Sequence, residues 1–192
     1  MLTLSDRLKQ IKLIISDVDG VLTDGSVAFD GKGRPFRSVS VRDVTGMTLW
    51  ALADGKCVLV SGLGSQAVEA IARQWKCAEL HMWIKDKPRV CQEIAKRHGL
   101  ELDQIAFLGD DIIDLRAMQT VGVGVAVADA HPMAVEAADV VLKTPGGRGA
   151  LRELIERILI AQGCLESVVD QYCSRNDAPL SDTAEDPHLL PA

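Results

Sequence analysis

Ile11-Lys12-Leu13-Ile14-Ile15-Ser16-Asp17-Val18-Asp19-Gly20-Val21-Leu22-Thr23-Asp24-Gly25 runs from an Ile-rich segment directly into an acidic, glycine-containing turn. A short apolar run bounded by turn formers reads as a buried strand, here residues 11–16. Side chains at alternate positions of a strand share a direction, so Asp17 and Asp19 leave its end pointing the same way. Asp and Gly are ordinary loop formers after a strand. Loop propensity does not account for two neighbouring carboxylates, which repel unless a cation lies between them.

Apolar runs of the same kind recur at 57–60, 105–108, 123–127 and 140–142. Segments of helical periodicity lie among them at 65–75, 87–98, 112–119 and 148–162. Strand and helix in alternation predict a doubly wound, Rossmann-like α/β fold with a parallel sheet and a ligand crevice at the carboxyl ends of its strands. One stretch departs from the alternation. Residues 26–39 carry Val27 and Phe29, a turn-like Asp30-Gly31-Lys32-Gly33, then Pro35, Phe36 and Val39, the pattern of a β-hairpin inserted after the first strand. Residues 1–162 are expected to form one domain, and 163–192 a mobile C-terminal tail rich in proline and acids toward its end.

A chain of 192 residues with 47% hydrophobic positions can bury one proper core. Its net charge of −6 and its lack of a basic stripe argue against a nucleic-acid partner. No apolar run approaches the length of a bilayer span, and residues 1–10 lack the apolar stretch of a signal peptide, so a soluble cytoplasmic protein without a membrane role is expected. The five cysteines, Cys57, Cys77, Cys91, Cys164 and Cys173, form no C-x-x-C pair and are odd in number, which reads as reduced thiols. His81, His98, His131 and His188 show no metal-binding spacing. Trp50 and Trp75 read as core or subunit contacts, and Trp83 as a residue at the core edge or the substrate entrance.

A second acidic cluster, Gly109-Asp110-Asp111-Ile112-Ile113-Asp114, again follows an apolar strand. Two such clusters at strand ends converge in a parallel sheet. Oxygen ligands without His or Cys suit a hard ion, Mg²⁺. Ser61-Gly62 after the 57–60 strand offers a hydroxyl and a free N–H, and Lys87 at a helix start offers a cation. These are groups that would surround phosphoryl oxygens.

D-x-D-G on the first strand, Ser-Gly on the second, a lysine, and G-D-D-x-x-D, in that order, resemble the haloacid dehalogenase superfamily over residues 11–162. The resemblance implies that Asp17 attacks phosphorus to form an aspartyl-phosphate and that Asp19 serves as acid and base. It implies Mg²⁺ held by Asp17, the Asp19 carbonyl and Asp110, with Ser61, Gly62 and Lys87 on the phosphate and Asp114 in support. The role of Asp111 stays open.

Further stretches are similar to the capless branch that includes the 3-deoxy-D-manno-octulosonate 8-phosphate phosphatases of lipopolysaccharide biosynthesis. These are Val41-Arg42-Asp43 with Gly46, Val125-Ala126-Val127-Ala128-Asp129-Ala130-His131-Pro132, and Gly146-Gly147-Arg148-Gly149-Ala150. That likeness implies no separate cap domain, a homotetramer in which the early hairpins form a shared barrel, a sugar acid phosphate as substrate, and Arg42 and Arg148 as its cationic contacts. Two departures stand out: Leu63-Gly64 where this branch carries an arginine after Ser-Gly, and Val44-Thr45 in place of a Gly-aromatic pair. They leave open a nine-carbon sialic-type acid phosphate as substrate, or a catalytically silent sugar-phosphate-binding relative. A receiver domain shares the ingredients but not their order along the chain.

Overall fold

The computed structural model describes residues 2–176. Helix α1 (Leu4–Lys9) opens on a capping box between Thr3 and Asp6 and leads into strand β1 (Leu13–Ser16). The hairpin β2 (Ala28–Phe29) and β3 (Pro35–Phe36) follows, then α2 (Val41–Leu52), β4 (Lys56–Val60), α3 (Gln66–Gln74), β5 (Glu79–His81) and α4 (Lys87–His98). The second half runs β6 (Ile105–Gly109), α5 (Leu115–Thr120), β7 (Val123–Ala126), α6 (Pro132–Ala137), β8 (Val140–Val141), α7 (Ala150–Gln162) and α8 (Leu165–Asn176).

Six strands form one parallel sheet in the order β5-β4-β1-β6-β7-β8. Each strand alternates its side chains between two cores. Ile14, Leu59, Ala106 and Leu108 face Trp50 of α2 and Leu154 and Ile158 of α7. Leu13, Ile15, Val58 and Phe107 face Val90 and Ile94 of α4 and Met118 of α5. Burial on both faces is why these strands read as unbroken apolar runs rather than as alternating patterns. After β1 the chain fills one side of the sheet with β4 and β5, then returns to β6 on the other. The topological switch, where such folds bind ligands, therefore lies between the ends of β1 and β6.

The hairpin exists as expected, with Ala28 opposite Phe36 and Phe29 opposite Pro35. Its turn is tied by the Asp30 carboxylate, which accepts from the Lys32 and Arg34 amides at 2.8 and 2.9 Å. Phe29 and Phe36 remain 65% and 54% exposed. No separate cap domain occurs among the described residues.

Several boundaries differ from expectation. The helix expected over 112–119 begins only at Leu115, because Asp114 turns inward and accepts from the Asp110 and Asp111 amides at 3.1 and 3.3 Å. That bend leaves Ile112 and Ile113 exposed. The expected tail over 163–192 starts as a helix: α8 buries Val168 and packs Leu165 and Tyr172 against the larger core. The rest of the expected tail, 177–192, and His188 with it, lies outside the described residues. Trp50 and Trp75 are buried, as are Cys57 and Cys91. Among the described residues no helix is long and apolar enough to cross a membrane.

Helices α2 and α7 meet closely. A Cβ on Gly46 would lie 2.9 Å from the Arg152 Cα, so only glycine lets the helices touch there. The N-cap of α7, Gly149, has no side chain to satisfy the first amides of the helix. Asp43 of α2 supplies the missing acceptor and takes the Arg152 amide at 2.9 Å.

Candidate active site

Strand register assembles the site. Ser16 pairs with Leu108 on one side and Leu59 on the other, so Asp17, Gly109-Asp110 and Ser61 emerge side by side at the carboxyl edge. Asp17 donates its amide to the Leu108 carbonyl at 2.9 Å, and its side chain is nearly fully buried. One carboxylate oxygen accepts from the Val18 amide at 2.7 Å and the other meets Lys87 Nζ at 2.9 Å. Lys87 comes from the first turn of α4, is 1% exposed, and also donates to Asp114 at 2.5 Å.

The acidic cluster is Asp17, Asp110 and Asp114, each offering an oxygen within 4.8 Å of the others. Asp114 is fully committed, to Lys87 through one oxygen and to two amides through the other. Asp110 is not: its Oδ1 is buried with no hydrogen-bond partner. Burial, and then the neighbouring Asp17 charge, push the Asp110 carboxyl up to about 7. Burial likewise lifts Asp17 to about 6, against the pull of Lys87. Burial alone would lower the Lys87 ammonium, but the two carboxylates beside it more than reverse this and raise it. One ammonium thus faces two buried acids and the half-buried Asp110, and an orphaned carboxylate oxygen with an all-oxygen donor set fits a hard divalent cation. Asp111 is exposed and accepts from the Ile112 amide, so it turns away from the cluster.

The loop after β1 is braced at several points. Thr23 Oγ accepts from the Gly20 and Gly25 amides, both at 3.2 Å. Gly20 has φ +89°, and a side chain there would collide with the Asp110 carboxylate. Gly146 packs directly on the Gly20 carbonyl and donates its amide to Asp129 at 2.9 Å. The His131 amide donates to the Asp110 carbonyl at 2.7 Å. The 125–132 and 146–150 stretches are therefore supports that press the two acidic loops together.

Ser61 is buried behind Gly62; its hydroxyl accepts from the Leu63 amide at 3.0 Å, and its carbonyl accepts from Ile84. Arg42 and Arg148 are exposed and line a separate shallow groove with Lys143, Thr144 and Arg152. Neither forms a hydrogen bond with Asp17, Asp19, Ser61 or Lys87. The Asp19 side chain stands apart from the acidic cluster. It forms an ion pair with Arg37, whose Nε meets Oδ1 and whose Nη2 reaches Oδ2 at 3.4 Å, while Nη1 donates to Ser65 Oγ at 2.8 Å. Arg37 was not legible as a site residue, since it follows the hairpin in irregular chain with no motif around it. Trp83 holds φ +62°, a region that costs a bulky residue strain, and its indole lies against Gly64, where a Cβ would clash with the ring.

A family model described as haloacid dehalogenase-like hydrolase matches residues 61–154. The 3-deoxy-D-manno-octulosonate 8-phosphate phosphatase of Haemophilus influenzae is 37% identical over 160 residues, 83% of this chain and 89% of that protein. The enzyme of the same name from Escherichia coli K12 is 33% identical over 165 residues, 86% and 88% of the two chains. The crystal structure of the Moraxella catarrhalis phosphatase in complex with magnesium ion, phosphate ion and a KDO molecule superposes with a TM-score of 0.85 at 28% identity, covering 88% of this chain and 97% of that one. With the strand-end acids, the buried lysine and the capless α/β sheet all in place, the chain belongs to the haloacid dehalogenase superfamily, as a phosphatase of the capless branch that contains these octulosonate phosphate phosphatases.

Proposed function

We propose that the chain is a Mg²⁺-dependent phosphomonoesterase for a sugar acid phosphate, 3-deoxy-D-manno-octulosonate 8-phosphate, acting through an aspartyl-phosphate. The observation that carries it is the pairing of Asp17, a buried carboxylate held by Lys87 and the Val18 amide, with the orphaned Asp110 oxygen beside it. The relatives' names and high coverage support the substrate.

In this reading an Asp17 oxygen attacks phosphorus and the ester P–O bond breaks. The leaving oxygen takes a proton from Asp19. Water then attacks the phosphorus of the aspartyl-phosphate, gives its proton to Asp19, and releases phosphate and the Asp17 carboxylate. The Ser61 hydroxyl, the Gly62 amide and Lys87 hold the non-bridging oxygens, the Ser61 amide being spent on the His81 carbonyl at 2.9 Å. Asp17, the Asp19 carbonyl and Asp110 would hold the ion, with Asp114 fixing Lys87 and the 110–111 amides. When bound, the ion supplies positive charge that offsets repulsion between carboxylate and phosphate. Arg42 and Arg148 serve the sugar acid from their groove, and exposed Phe29 and Phe36 suit burial of the hairpin in a homotetramer.

A second reading, a nine-carbon sialic-type acid phosphate, draws on the half-exposed Leu63, which brings no charge to the site mouth. Phosphate release from both sugar acid phosphates and from simple esters, with Mg²⁺ or EDTA, tests the proposal. The expected result is metal-dependent release, greatest on the octulosonate phosphate and lost in Asp17→Asn. Preference for the nine-carbon ester moves the substrate, and no turnover on any ester sinks the catalytic reading.

A further inference from the structure

Arg37 lies where the chain leaves the exposed hairpin and returns to the sheet edge. Residues 34–36 are exposed, yet the Arg37 side chain is only 3% exposed. Its guanidinium bridges two loops: Nε and Nη2 rest on the two oxygens of Asp19, and Nη1 reaches Ser65 Oγ at 2.8 Å. Ser65 is itself fixed as the N-cap of α3, accepting from the Val68 amide at 3.3 Å. In this arrangement Asp19 is held in an ion pair and is not presented to an ester oxygen.

Apart from Arg42 and Arg148 in their own groove, the groups beside Asp19 offer little to a substrate's carboxylate. Lys87 is committed to Asp17 and Asp114. Leu63 and Trp83, 49% and 67% exposed, are uncharged, and the Trp83 ring covers the backbone at Gly64. A guanidinium has five N–H donors in a planar fork matched to a carboxylate. Three point at Asp19 and Ser65, so two remain to begin pairing with a second carboxylate before the first is released.

We propose that Arg37 is a substrate-operated latch: it rests on Asp19 until the carboxylate of a sugar acid phosphate takes its guanidinium, which frees Asp19 for reaction. This rests on the substrate class proposed above and assigns the residue that enforces it. A substrate with a carboxylate gains both an ion pair and an unmasked Asp19, whereas a phosphate ester without one meets Asp19 still latched. Discrimination then acts on turnover as well as on binding, in the manner of induced fit.

The test compares wild type, Arg37→Gln and Arg37→Lys, as full chains with saturating Mg²⁺, on 3-deoxy-D-manno-octulosonate 8-phosphate and on glycerol 1-phosphate. Losing a charge-assisted contact should cut kcat/KM for the sugar acid phosphate by roughly 10- to 100-fold in Arg37→Gln. In the same variant kcat for glycerol 1-phosphate should rise severalfold, because nothing then holds Asp19. Arg37→Lys keeps a charge but not the fork, so it should recover part of the sugar acid activity. It also separates the two substrates if the Gln variant fails to fold. A parallel fall on both substrates, or no change on either, overturns the latch. If wild type shows no preference for the sugar acid, the substrate reading fails, and the glycerol phosphate arm still decides: a rise supports the latch, its absence overturns it.

Discussion

Lys87 is the residue on which the buried charge of the site balances. Its ammonium sits between Asp17 and Asp114, with Asp110 beside them. Removing one partner of a buried charge set leaves the others uncompensated, which typically costs about 3–5 kcal/mol. Lys87→Met should therefore lose stability on that scale in urea unfolding with EDTA present. Exposed Lys85, two residues earlier, should be neutral within about 0.5 kcal/mol when changed to Met. Equal, small effects at both positions would show that the three acids are neutralised by their own protons and not by Lys87. The positions of Asp17, Asp19, Ser61, Lys87 and Asp110 at one edge of the sheet were legible because each follows a strand or opens a helix, and a parallel sheet brings such ends together. Arg37 was not, since its placement depends on how an irregular segment folds back over the sheet edge. The turning of the Asp19 side chain toward Arg37, away from the acidic cluster, follows from that same tertiary contact.

Five of the six sheet strands were legible at the scale of elements as apolar runs, whereas the edge strand β5 (Glu79–His81), only half-buried and polar at both ends, was not. Four helices were missed: α1 and α6 are six residues each, too short to show a period, and α2 and α8 argue only weakly for helix by composition. Helix α2 carries Val, Thr and Gly, and α8 has paired Val with Ser and Cys, residues of modest helix propensity. Tertiary contacts hold both, and between α2 and α7 the decisive contact is Asp43 on the α7 amides. Burial is the main reason that Asp43 is raised to about 6, with the Arg152 and Leu151 amides pulling the other way, and its Oδ2 has no partner. The sign follows directly: between the usual carboxylate range and about 6 the folded chain holds a proton that the unfolded chain has released. Stability from this group is full at low pH and is lost as pH rises through about 6, by on the order of 3 kcal/mol. Asp17 and Asp110 titrate in overlapping windows, so the wild-type curve alone does not isolate Asp43. Asp43→Asn keeps an acceptor for the amides and removes the titration. The difference between its stability and that of wild type should change between pH 4 and 6 and be flat above, whereas parallel curves would mean that Asp43 titrates normally.

The parallel sheet and its two helix layers follow from strand and helix alternation along the chain, so that much of the architecture was legible, while the strand order comes from the structure. The surface that the hairpin offers to other molecules was not, because hairpin periodicity is the same whether its aromatics are covered or bare. Phe29 and Phe36 stand on a two-stranded ribbon whose strands are two residues each. An isolated hairpin of that size is marginal in water, and exposed aromatics add nothing to its stability. The proposed packing of several hairpins against one another would resolve both difficulties, and it would anchor Arg37, the first residue beyond β3, on the side opposite its ion pair with Asp19. If the chain assembles as the proposed tetramer, Phe29→Ser combined with Phe36→Ser should convert it to monomers in sedimentation velocity while leaving the sheet's unfolding transition in place, since neither ring belongs to either core. Without neighbours the ribbon should fray and release Arg37, so the monomer should lose preference for sugar acid esters over esters without a carboxylate more than it loses turnover. A wild-type monomer would remove the shared-barrel proposal, and a monomeric double variant with unchanged preference would show that Asp19 and Ser65 alone hold Arg37 in place.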